Sequence, residues 1–391
     1  MAEPDREPDR LVARMHGFRT TIFAEMSALA VATGAVNLGQ GFPDTDGPQL
    51  ILDAAVDAIR SGHNQYPPGN GIAPLRHAIS EHQERLYGLA YDPDSEVLVT
   101  AGATEAIAAA VTALAGPGDE VILFEPYYDS YAATVALAGA SRVCVTLERN
   151  GQVTQQPWGF DHDALRAAIT PRTKLILLNT PHNPTGTVFG ADDLAVIAEV
   201  AVEHDLVVIA DEVYEHLLFD GRLHVPIATL PGMRERTVTI SSAGKTFSVT
   251  GWKIGWACGP ASLIAAVRTV KQFLTYVNGG PFQPAVAVAL AEAEKLSPVA
   301  MLQDQRDLLC DGLAELGLDV IVPQATYFAT VDVGRNGVDY CRELPTRAGV
   351  VAIPSSVFYD SDAGDRFVRF AFCKRPEVLR DALTRLAEVT G

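Results

Sequence analysis

Between about residue 95 and residue 290, short apolar runs alternate with longer amphipathic segments, and few folds are compatible with such a pattern. Apolar runs bounded by turn residues are typical of buried strands, and the segments between them have helical spacing. This alternation predicts βαβ units around a mostly parallel sheet. The predicted strands are EVLVTAG (96–102), EVILFEP (120–126), KLILLN (174–179), LVVIAD (206–211), TVTISS (237–242) and IGWACG (254–259), with helices at 103–115 and in YDSYAATVALAG (128–139).

Glycine, aromatic and polar residues follow these predicted strands where the strands end. They are Gly102 and Thr104, Tyr128, Asn179 and Asn183, Asp211 and Tyr214, and Ser242 and Lys245. In open α/β sheets, ligands bind beyond the carboxyl ends of the strands, so we expect one site at one sheet edge. Taken singly, Asp211 can be a helix cap, Tyr128 a core aromatic and Lys245 a surface lysine. The prediction therefore depends on their joint order.

The stretch SSAGKTFSVTGWKIGW (241–256) places Lys245 and Lys253 close together in a chain whose 30 basic residues are mostly arginines. Arginine stays charged, whereas a desolvated lysine can lose its proton and attack a carbonyl group. An amine on a loop, an aryl face and a carboxylate together suit pyridoxal 5′-phosphate, whose protonated ring withdraws electrons from the substrate. Lys245 is then the covalent lysine. Ala103, Thr104, Ser242 and Lys253 can supply the phosphate contacts.

Size and charge narrow the class of protein. A chain of 391 residues exceeds one ordinary core of roughly 100–200 residues, which predicts two domains or one large domain with an appendage. The net charge of −18 argues against a nucleic-acid partner, because phosphate contacts need clustered Lys and Arg. Small anionic ligands stay compatible with local arginines.

The cysteines and the amino terminus indicate the compartment. The five cysteines are odd in number and form no CxxC pair, which predicts free thiols and neither a disulfide framework nor a metal site. The first ten residues, MAEPDREPDR, are polar and are predicted to form a disordered tail. No run approaches about 18 apolar residues, so we expect a cytoplasmic protein that does not enter the membrane.

Six segments of the sequence resemble class I aminotransferases of the fold-type I pyridoxal phosphate enzymes. These segments stretch from residue 37 to residue 374: NLGQGFPD (37–44), NQYPPGNG (64–71), NTPHNPTG (179–186), DEVYEHLLFDG (211–221), SSAGKTFSVTGWKIGW (241–256) and FVRFAFCK (367–374). The resemblance implies a three-layer, mostly parallel large domain at 48–290. It also implies a smaller α+β domain formed by 1–47 and 291–391, which can close over substrate.

The resemblance also implies roles for individual residues. Lys245 binds the cofactor and moves the substrate proton, Asp211 pairs with the ring nitrogen, and Tyr128 stacks on the ring. Tyr214 and Asn183 contact the ring oxygen, while Gly102 and Asn179 belong to the cofactor pocket. Arg369 binds the substrate carboxylate with Asn183 and the backbone of Gly41, although an arginine in FVRFAF can instead face solvent. Tyr66 reaches the site of a second subunit, which implies a homodimer.

The resemblance leaves the substrate open among amino acids and 2-oxo acids. GATEAIAAAV, EPYYDSY and TGWKIGWACGP resemble N-succinyldiaminopimelate aminotransferases of lysine biosynthesis, which we take as the first hypothesis, with 2-oxoglutarate as acceptor. SAGKTFS and VAIPSSVFY equally resemble kynurenine and glutamine transaminases, some of which also act as cysteine-conjugate β-lyases. Phe18 and Phe23 suit an apolar substrate side chain or plain core packing. Arg19 is an option for a distal anionic group, or a solvated residue.

A third hypothesis is a regulator without catalytic activity, built on the same fold. Such a protein is expected to carry an amino-terminal DNA-binding helix-turn-helix. The forty residues before GFPD are too few for that module, and Lys245 is in place. We therefore expect an enzyme.

Overall fold

The computed structural model describes residues 10–18, 21–150 and 156–390. The first nine of the ten residues of the predicted tail, and Arg19, lie outside the described residues. Within them, no helix is long and apolar enough to cross a membrane.

The strands and helices follow each other along the chain in the order that the alternating pattern predicts. The strands are β1 (Val36–Asn37), β2 (Val97–Thr100), β3 (Glu120–Glu125), β4 (Ser141–Thr146), β5 (Glu148–Arg149), β6 (Trp158–Gly159), β7 (Thr173–Asn179), β8 (Val207–Asp211), β9 (Thr237–Ser242), β10 (Gly255–Cys258), β11 (Asp319–Ile321), β12 (Phe328–Asp332), β13 (Val350–Val351), β14 (Ile353–Pro354) and β15 (Phe367–Ala371). The helices are α1 (Ile22–Thr33), α2 (Gln49–Arg60), α3 (Ala73–Tyr87), α4 (Gly102–Leu114), α5 (Asp129–Ala138), α6 (His162–Ala167), α7 (Ala191–Glu203), α8 (Ala243–Thr246), α9 (Ala261–Lys271), α10 (Phe282–Leu290), α11 (Ala293–Leu296), α12 (Val299–Glu315), α13 (Gly337–Arg347) and α14 (Pro376–Thr390).

The central sheet confirms the predicted α/β class. Over the described residues it contains seven strands in the order β2-β10-β9-β8-β7-β3-β4. The six predicted strands are observed as β2, β3, β7, β8, β9 and β10, and the two predicted helices as α4 and α5. Strand β4 was not among the predictions. It lies at the sheet edge and buries only Val145 fully, so its sequence lacks a continuous apolar run.

Strand β10 is antiparallel to both of its neighbours, β2 and β9. The other four neighbouring strand pairs of this sheet are parallel. Gly255, the first residue of β10, pairs with Ser242 at the end of β9 and with Thr100 at the end of β2. The residues just before β10 therefore reach the edge at which the parallel strands end.

Two helical layers cover the sheet, because alternate strand residues point to opposite faces. Val121 and Leu123 of β3 pack in one buried cluster with residues of α4, α5 and α9. Ile122 and Phe124 pack in another with residues of α6 and α7. The three-layer prediction is thus confirmed.

A second, antiparallel sheet is formed by the strands β11-β12-β15-β14. Its core also contains Met26 and Ala30 of α1, and β1 pairs with β13. The amino-terminal segment therefore packs with elements from beyond residue 300. The boundaries 48–290 and 1–47 plus 291–391 stay a prediction.

Candidate active site

A cavity of about 360 Å³ lies at the edge where the parallel strands end. Its lining contains Phe23, Gly41, Gly102, Ala103, Thr104, Tyr128, Asn179, Asn183, Asp211, Tyr214, Ser242, Lys245, Lys253 and Arg369. The structure thus brings together every predicted site residue except Tyr66 and Phe18. Phe18 packs against the buried cluster of α4, α5 and α9, in line with the core-packing alternative. The side chain of Tyr66 is 81% exposed and packs edge-on against Tyr276, with ring centroids 5.5 Å apart.

Lys245 lies in α8, a four-residue helix that begins directly after β9. Its Nζ donates a hydrogen bond of 2.7 Å to the hydroxyl of Tyr327. Burial lowers the pKa of Lys245 to about 8, and the nearby positive charges of Lys253 and Arg369 lower it further. An amine with such a pKa is partly neutral near pH 7, and a neutral amine is a nucleophile.

Asp211 is the last residue of β8, and its carboxylate is buried at the cavity. Burial raises its pKa to about 6, although hydrogen bonds from the Tyr131 hydroxyl (2.5 Å) and the Val213 amide (3.3 Å) oppose that shift. A buried carboxylate is stabilised in its charged form by a cation beside it. Asp211 is therefore suited to hold a positively charged ring nitrogen.

The amino terminus of α4 forms a cradle for an anion. Gly102 begins this helix with a φ of 73°, and a β-carbon at this position would lie 3.1 Å from Nζ of Lys253. Lys253 itself has a left-handed φ of 54°. Backbone N–H groups at a helix start and a lysine amine together attract phosphate. Thr104 and Ser242 add hydroxyl groups to the same lining.

Arg369 lies in the middle of the four-stranded sheet and is 2% exposed, so the alternative of a solvent-facing arginine is wrong. Its guanidinium donates to Oδ1 of Asn183 (3.0 Å) and to the carbonyl of Gly39 (3.3 Å), while Nε has no hydrogen-bond partner among the residues that the structure describes. The ring centroids of Phe328 and Phe358 lie 3.9 and 4.9 Å from Cζ of Arg369.

Burial lowers the pKa of Arg369 to about 10, while Tyr214, Tyr327 and the Asp129 carboxylate act in the opposite direction. A buried guanidinium held this way is ready for a carboxylate from a ligand, which it can bind through two N–H groups. Gly41 stands nearby without a side chain because a β-carbon there would lie 2.4 Å from the ring of Phe328.

The two asparagines do different things. Asn179 uses its amide to tie neighbouring segments: Nδ2 donates to the Asp211 carbonyl (2.8 Å), and Oδ1 accepts from the Asn183 amide (2.8 Å). Asn183 turns its own Oδ1 to Arg369. Asn179 therefore positions the loop that carries Asn183.

Two tyrosines hydrogen-bond to site residues, and the sequence reasoning missed both. Tyr131 lies on α5 and contacts Asp211; Tyr327 lies just before β12 and contacts Lys245. Tyr131 sits in the predicted helix YDSYAATVALAG, where spacing from Tyr128 was the available signal. Nothing in the local sequence around Tyr327 indicates a contact 82 residues away.

A second cluster of titratable groups lies outside this cavity. His82, Glu215 and His216 bring potential metal ligands within 4.8 Å of one another. Nε2 of His82 lies 2.8 Å from Nε2 of His216, which is a hydrogen-bond distance and closer than two zinc ligands at about 2.0–2.1 Å from one tetrahedral ion would stand. Glu215 accepts hydrogen bonds from the hydroxyls of Tyr87 and Ser241. These side chains are thus held by hydrogen bonds to one another and to Tyr87 and Ser241, so their arrangement does not require a metal ion.

The fold and the cavity define an enzyme of the fold-type I aminotransferase class, with an amine, a buried carboxylate, a helix amino terminus beside a lysine and a buried arginine in one site. Residues 33–386 match the aminotransferase class I and II family, and the chain belongs to this family.

Three relatives illustrate the range of names within that family. The chain is 55% identical to a Mycobacterium tuberculosis (strain H37Rv) protein named probable N-succinyldiaminopimelate aminotransferase DapC, across 96% of this chain and 98% of the relative. The solved structure of the M. tuberculosis N-succinyldiaminopimelate aminotransferase superposes with a TM-score of 0.93 at 55% identity, covering 97% of this chain and 100% of that one. Methionine aminotransferase of Escherichia coli K12 is 42% identical across 95% and 96% of the two chains. A kynurenine–oxoglutarate transaminase of Dictyostelium discoideum is 39% identical across 95% and 94%.

Proposed function

We propose that this aminotransferase uses pyridoxal 5′-phosphate, bound in the cavity that Lys245 and Asp211 share. The observation that carries the proposal is the joint presence there of an amine with a pKa of about 8, a buried carboxylate and a helix amino terminus with a lysine beside it. The predicted catalytic residues Lys245, Asp211 and Tyr214 line the same cavity as the predicted cofactor-binding residues, apart from Tyr66.

The residues present fit this cofactor on structural grounds. Gly102 leaves open the space in front of the α4 terminus, and the Lys253 amine stands 3.1 Å from where a β-carbon would fill it. Asp211 is buried without a cationic hydrogen-bond partner among its described contacts. Both features are accounted for by a ligand with a phosphate and a protonated ring nitrogen.

Pyridoxal 5′-phosphate, when bound, supplies an aldehyde that takes up an amino group and a ring that withdraws electrons from the substrate carbon. Asp211 holds the ring proton in place through its negative charge, and Tyr131 fixes the carboxylate. Asn183 and Tyr214 line the cavity and could donate to an oxygen of the ring, and Tyr128, directly before α5, would supply an aromatic face for it.

Lys245 provides both the attachment point and the base. Its neutral amine can accept the proton from the α-carbon of a bound amino acid and return a proton when an oxo acid is the substrate. Because α8 begins directly after β9, the backbone of Lys245 is positioned by the end of a central strand.

Arg369 binds the α-carboxylate of either substrate. Arg369 lines the cavity, and its hydrogen bonds among the described residues go to the neutral Asn183 and Gly39, so an incoming carboxylate pairs with a charge that is already desolvated. Asn183 holds the guanidinium plane, and the glycine at position 41 leaves room beside it.

For the substrate, we infer N-succinyl-LL-diaminopimelate with the glutamate and 2-oxoglutarate pair, as in lysine biosynthesis. The support is the 55% identity with the M. tuberculosis relative of that name. Around Phe23 the lining adds the polar side chains of Thr21 and Gln40, which can contact the distal end of an extended substrate.

The second candidate is an aromatic or thioether amino acid, as the names of the kynurenine and methionine relatives suggest. It is favoured by the aromatic rings near Arg369, where Phe23 and Phe358 lie 5.3 and 4.9 Å from the guanidinium carbon. Some transaminases of this kind also release pyruvate from cysteine conjugates.

The test compares kcat/KM for N-succinyl-LL-diaminopimelate, kynurenine, glutamine and methionine with one acceptor, and measures pyruvate release from a cysteine conjugate without acceptor. Preference for kynurenine, glutamine or methionine by more than about tenfold, 1.4 kcal/mol of transition-state binding, contradicts the substrate proposal. Lys245→Ala should abolish turnover with every substrate, and retained turnover contradicts the cofactor proposal.

We also propose a homodimer in which Tyr66 completes the site of the second subunit. Tyr66, Phe273 and Tyr276 are large side chains exposed by 81%, 82% and 56%, and Tyr66 contacts Tyr276. Exposed aromatic groups of this kind are typical of an interface.

The dimer proposal can be tested by mixing two defective subunits. Lys245→Ala lacks the amine but keeps Tyr66, whereas Tyr66→Ala keeps the amine. A hybrid dimer then contains one complete site, so activity should return after the two variants are unfolded and refolded together. Activity no higher than the sum of the separate variants, with hybrid dimers present by native mass spectrometry, contradicts the proposal.

We propose the cytoplasm as the compartment. The support is that all five cysteines are free thiols, four of them buried. Fractionation of cells that express the protein tests this directly.

A further inference from the structure

We propose that Tyr327 is a positioning residue that holds the free amine of Lys245 with its lone pair available to the substrate proton. This inference deepens the proposed function and rests on it. Its basis is the geometry of one hydroxyl between two groups: Oη of Tyr327 lies 2.7 Å from Nζ of Lys245 and 2.7 Å from the carbonyl oxygen of Gly41.

The directions of these two hydrogen bonds follow from the proton count. A phenol has one O–H group, and the carbonyl of Gly41 can only accept. Tyr327 therefore donates its proton to Gly41 and accepts a hydrogen bond from an N–H group of Lys245. The lone pair of the neutral amine is not used by Tyr327, so it stays free to take a proton from the substrate.

The phenol is held more firmly than the lysine. Tyr327 is 1% exposed, its ring packs edge-on against Tyr214 and Phe328, and its carbonyl accepts from the amide of Phe372. A lysine side chain has four rotatable bonds and loses much entropy when ordered. The hydrogen bond to a fixed hydroxyl therefore limits the positions that the amine takes whenever it is not bonded to the cofactor.

The contact to Gly41 links this control to substrate binding. Gly41 lies in the amino-terminal segment beside Arg369, and Tyr327 precedes β12, the strand that pairs with the Arg369 strand. The Tyr327 hydroxyl thus connects Lys245, the proposed base, to Gly41 in the part of the cavity that is proposed to bind the substrate carboxylate. Proton transfer is sensitive to such distances, because a displacement of about 1 Å can reduce a rate by 10²-fold.

The first test is Tyr327→Phe, which removes the hydroxyl and keeps the ring. We expect kcat to fall by roughly ten- to a hundredfold, with little change in KM for the amino acid. The isotope effect with α-deuterated substrate should increase, because proton transfer becomes more rate-limiting. Tyr91→Phe is the matched control, since Tyr91 is also buried and lies outside the lining of the cavity. Wild-type turnover tests the proposed function separately.

The second readout uses the cofactor-free protein and does not depend on turnover. Acetylation of Lys245 is followed against pH by mass spectrometry. Loss of the acceptor destabilises the ammonium form, so the midpoint should move to lower pH in Tyr327→Phe. The other ionisable groups that act on Lys245 are Asp211, Lys253, Arg369 and Cys373, and none of them is altered.

Replacement of Tyr327 by 3-fluorotyrosine provides a second variant that keeps the shape and the hydroxyl. Its oxygen is a weaker acceptor, so the Lys245 midpoint should move in the same direction by a smaller amount. An unchanged midpoint in both variants, or an unchanged kcat and isotope effect in a folded Tyr327→Phe protein, overturns the inference.

Discussion

The hydroxyl of Tyr131 donates a 2.5 Å hydrogen bond to Oδ2 of Asp211 across 80 residues of sequence. This bond lowers the pKa of Asp211 against the opposing effect of burial. Tyr131→Phe should therefore raise that pKa, so a larger share of Asp211 is protonated as the pH falls.

For Tyr131→Phe we expect the transition state to lose about 1.5–3 kcal/mol of stabilisation, which lowers the rate roughly ten- to a hundredfold. The loss should be larger at pH 6 than at pH 8, as measured by the pH profile of kcat. Tyr340→Phe on α13 serves as the control. A loss that is the same at both pH values would show that the hydroxyl does not act through Asp211.

Replacement of Asp211 itself should be more severe. Asp211→Asn keeps the size of the side chain but removes the charge that holds the ring proton, and we expect a rate at least about 10³-fold lower. Circular dichroism and thermal unfolding should show an intact fold. Asp205→Asn, at an exposed position, is the control. Transamination within about tenfold of wild type would place the electron-withdrawing role elsewhere.

The anion cradle can be tested from its two sides. Lys253→Ala removes one charge-assisted contact of about 1.5–3 kcal/mol, which corresponds to about ten- to a hundredfold weaker cofactor binding. Gly102→Ala places a β-carbon in the same space at a positive φ and should also weaken binding. Equilibrium dialysis measures both constants. Lys174→Ala, at an exposed lysine, should bind as wild type does, and equal affinity in all variants would refute the cradle.

The pKa of Lys245 also has a consequence for the stability of the cofactor-free protein. The folded pKa is about 8 against an ordinary 10.5, so between these values the unfolded chain binds a proton that the folded chain lacks. The contribution of Lys245 to the free energy of unfolding therefore rises with pH from about 8 to 10.5 and is least favourable below pH 8.

Lys245→Met should accordingly stabilise the cofactor-free protein at pH 7 more than at pH 10.5. Urea unfolding at both pH values measures the difference. Lys174→Met, at an exposed lysine, is the control and should show no such trend. A stabilisation that does not depend on pH would indicate that packing, not charge burial, is responsible.

Much of the fold followed from local pattern. The strands were predictable because each is a short buried run that ends in a turn, and the polar residues at those ends identified the Asp211 and Lys245 region of the site. The reversed direction of β10 was not predictable, since IGWACG has the same apolar character as a parallel strand.

The contacts that control the two main groups were not predictable either. Tyr131 is one tyrosine among several in EPYYDSY, and only the packing of α5 on the sheet selects it as the partner of Asp211. Tyr327 reaches Lys245 because two separate sheets face each other. Such long-range contacts depend on tertiary packing, which neither spacing nor propensity encodes.

The antiparallel direction of β10 fixes the length of the chain between the two lysines. The segment leaves the sheet after Ser242 and must return to Gly255, the residue paired with it, while the Cα of Thr250 would lie 3.0 Å from a β-carbon at Gly244. A library of single-residue insertions and deletions should therefore show a sharp gap in tolerance between 243 and 254, even though part of this segment lies at the protein surface. In a redesign of the enzyme, residues of this loop can be substituted, but the length of the loop must be kept.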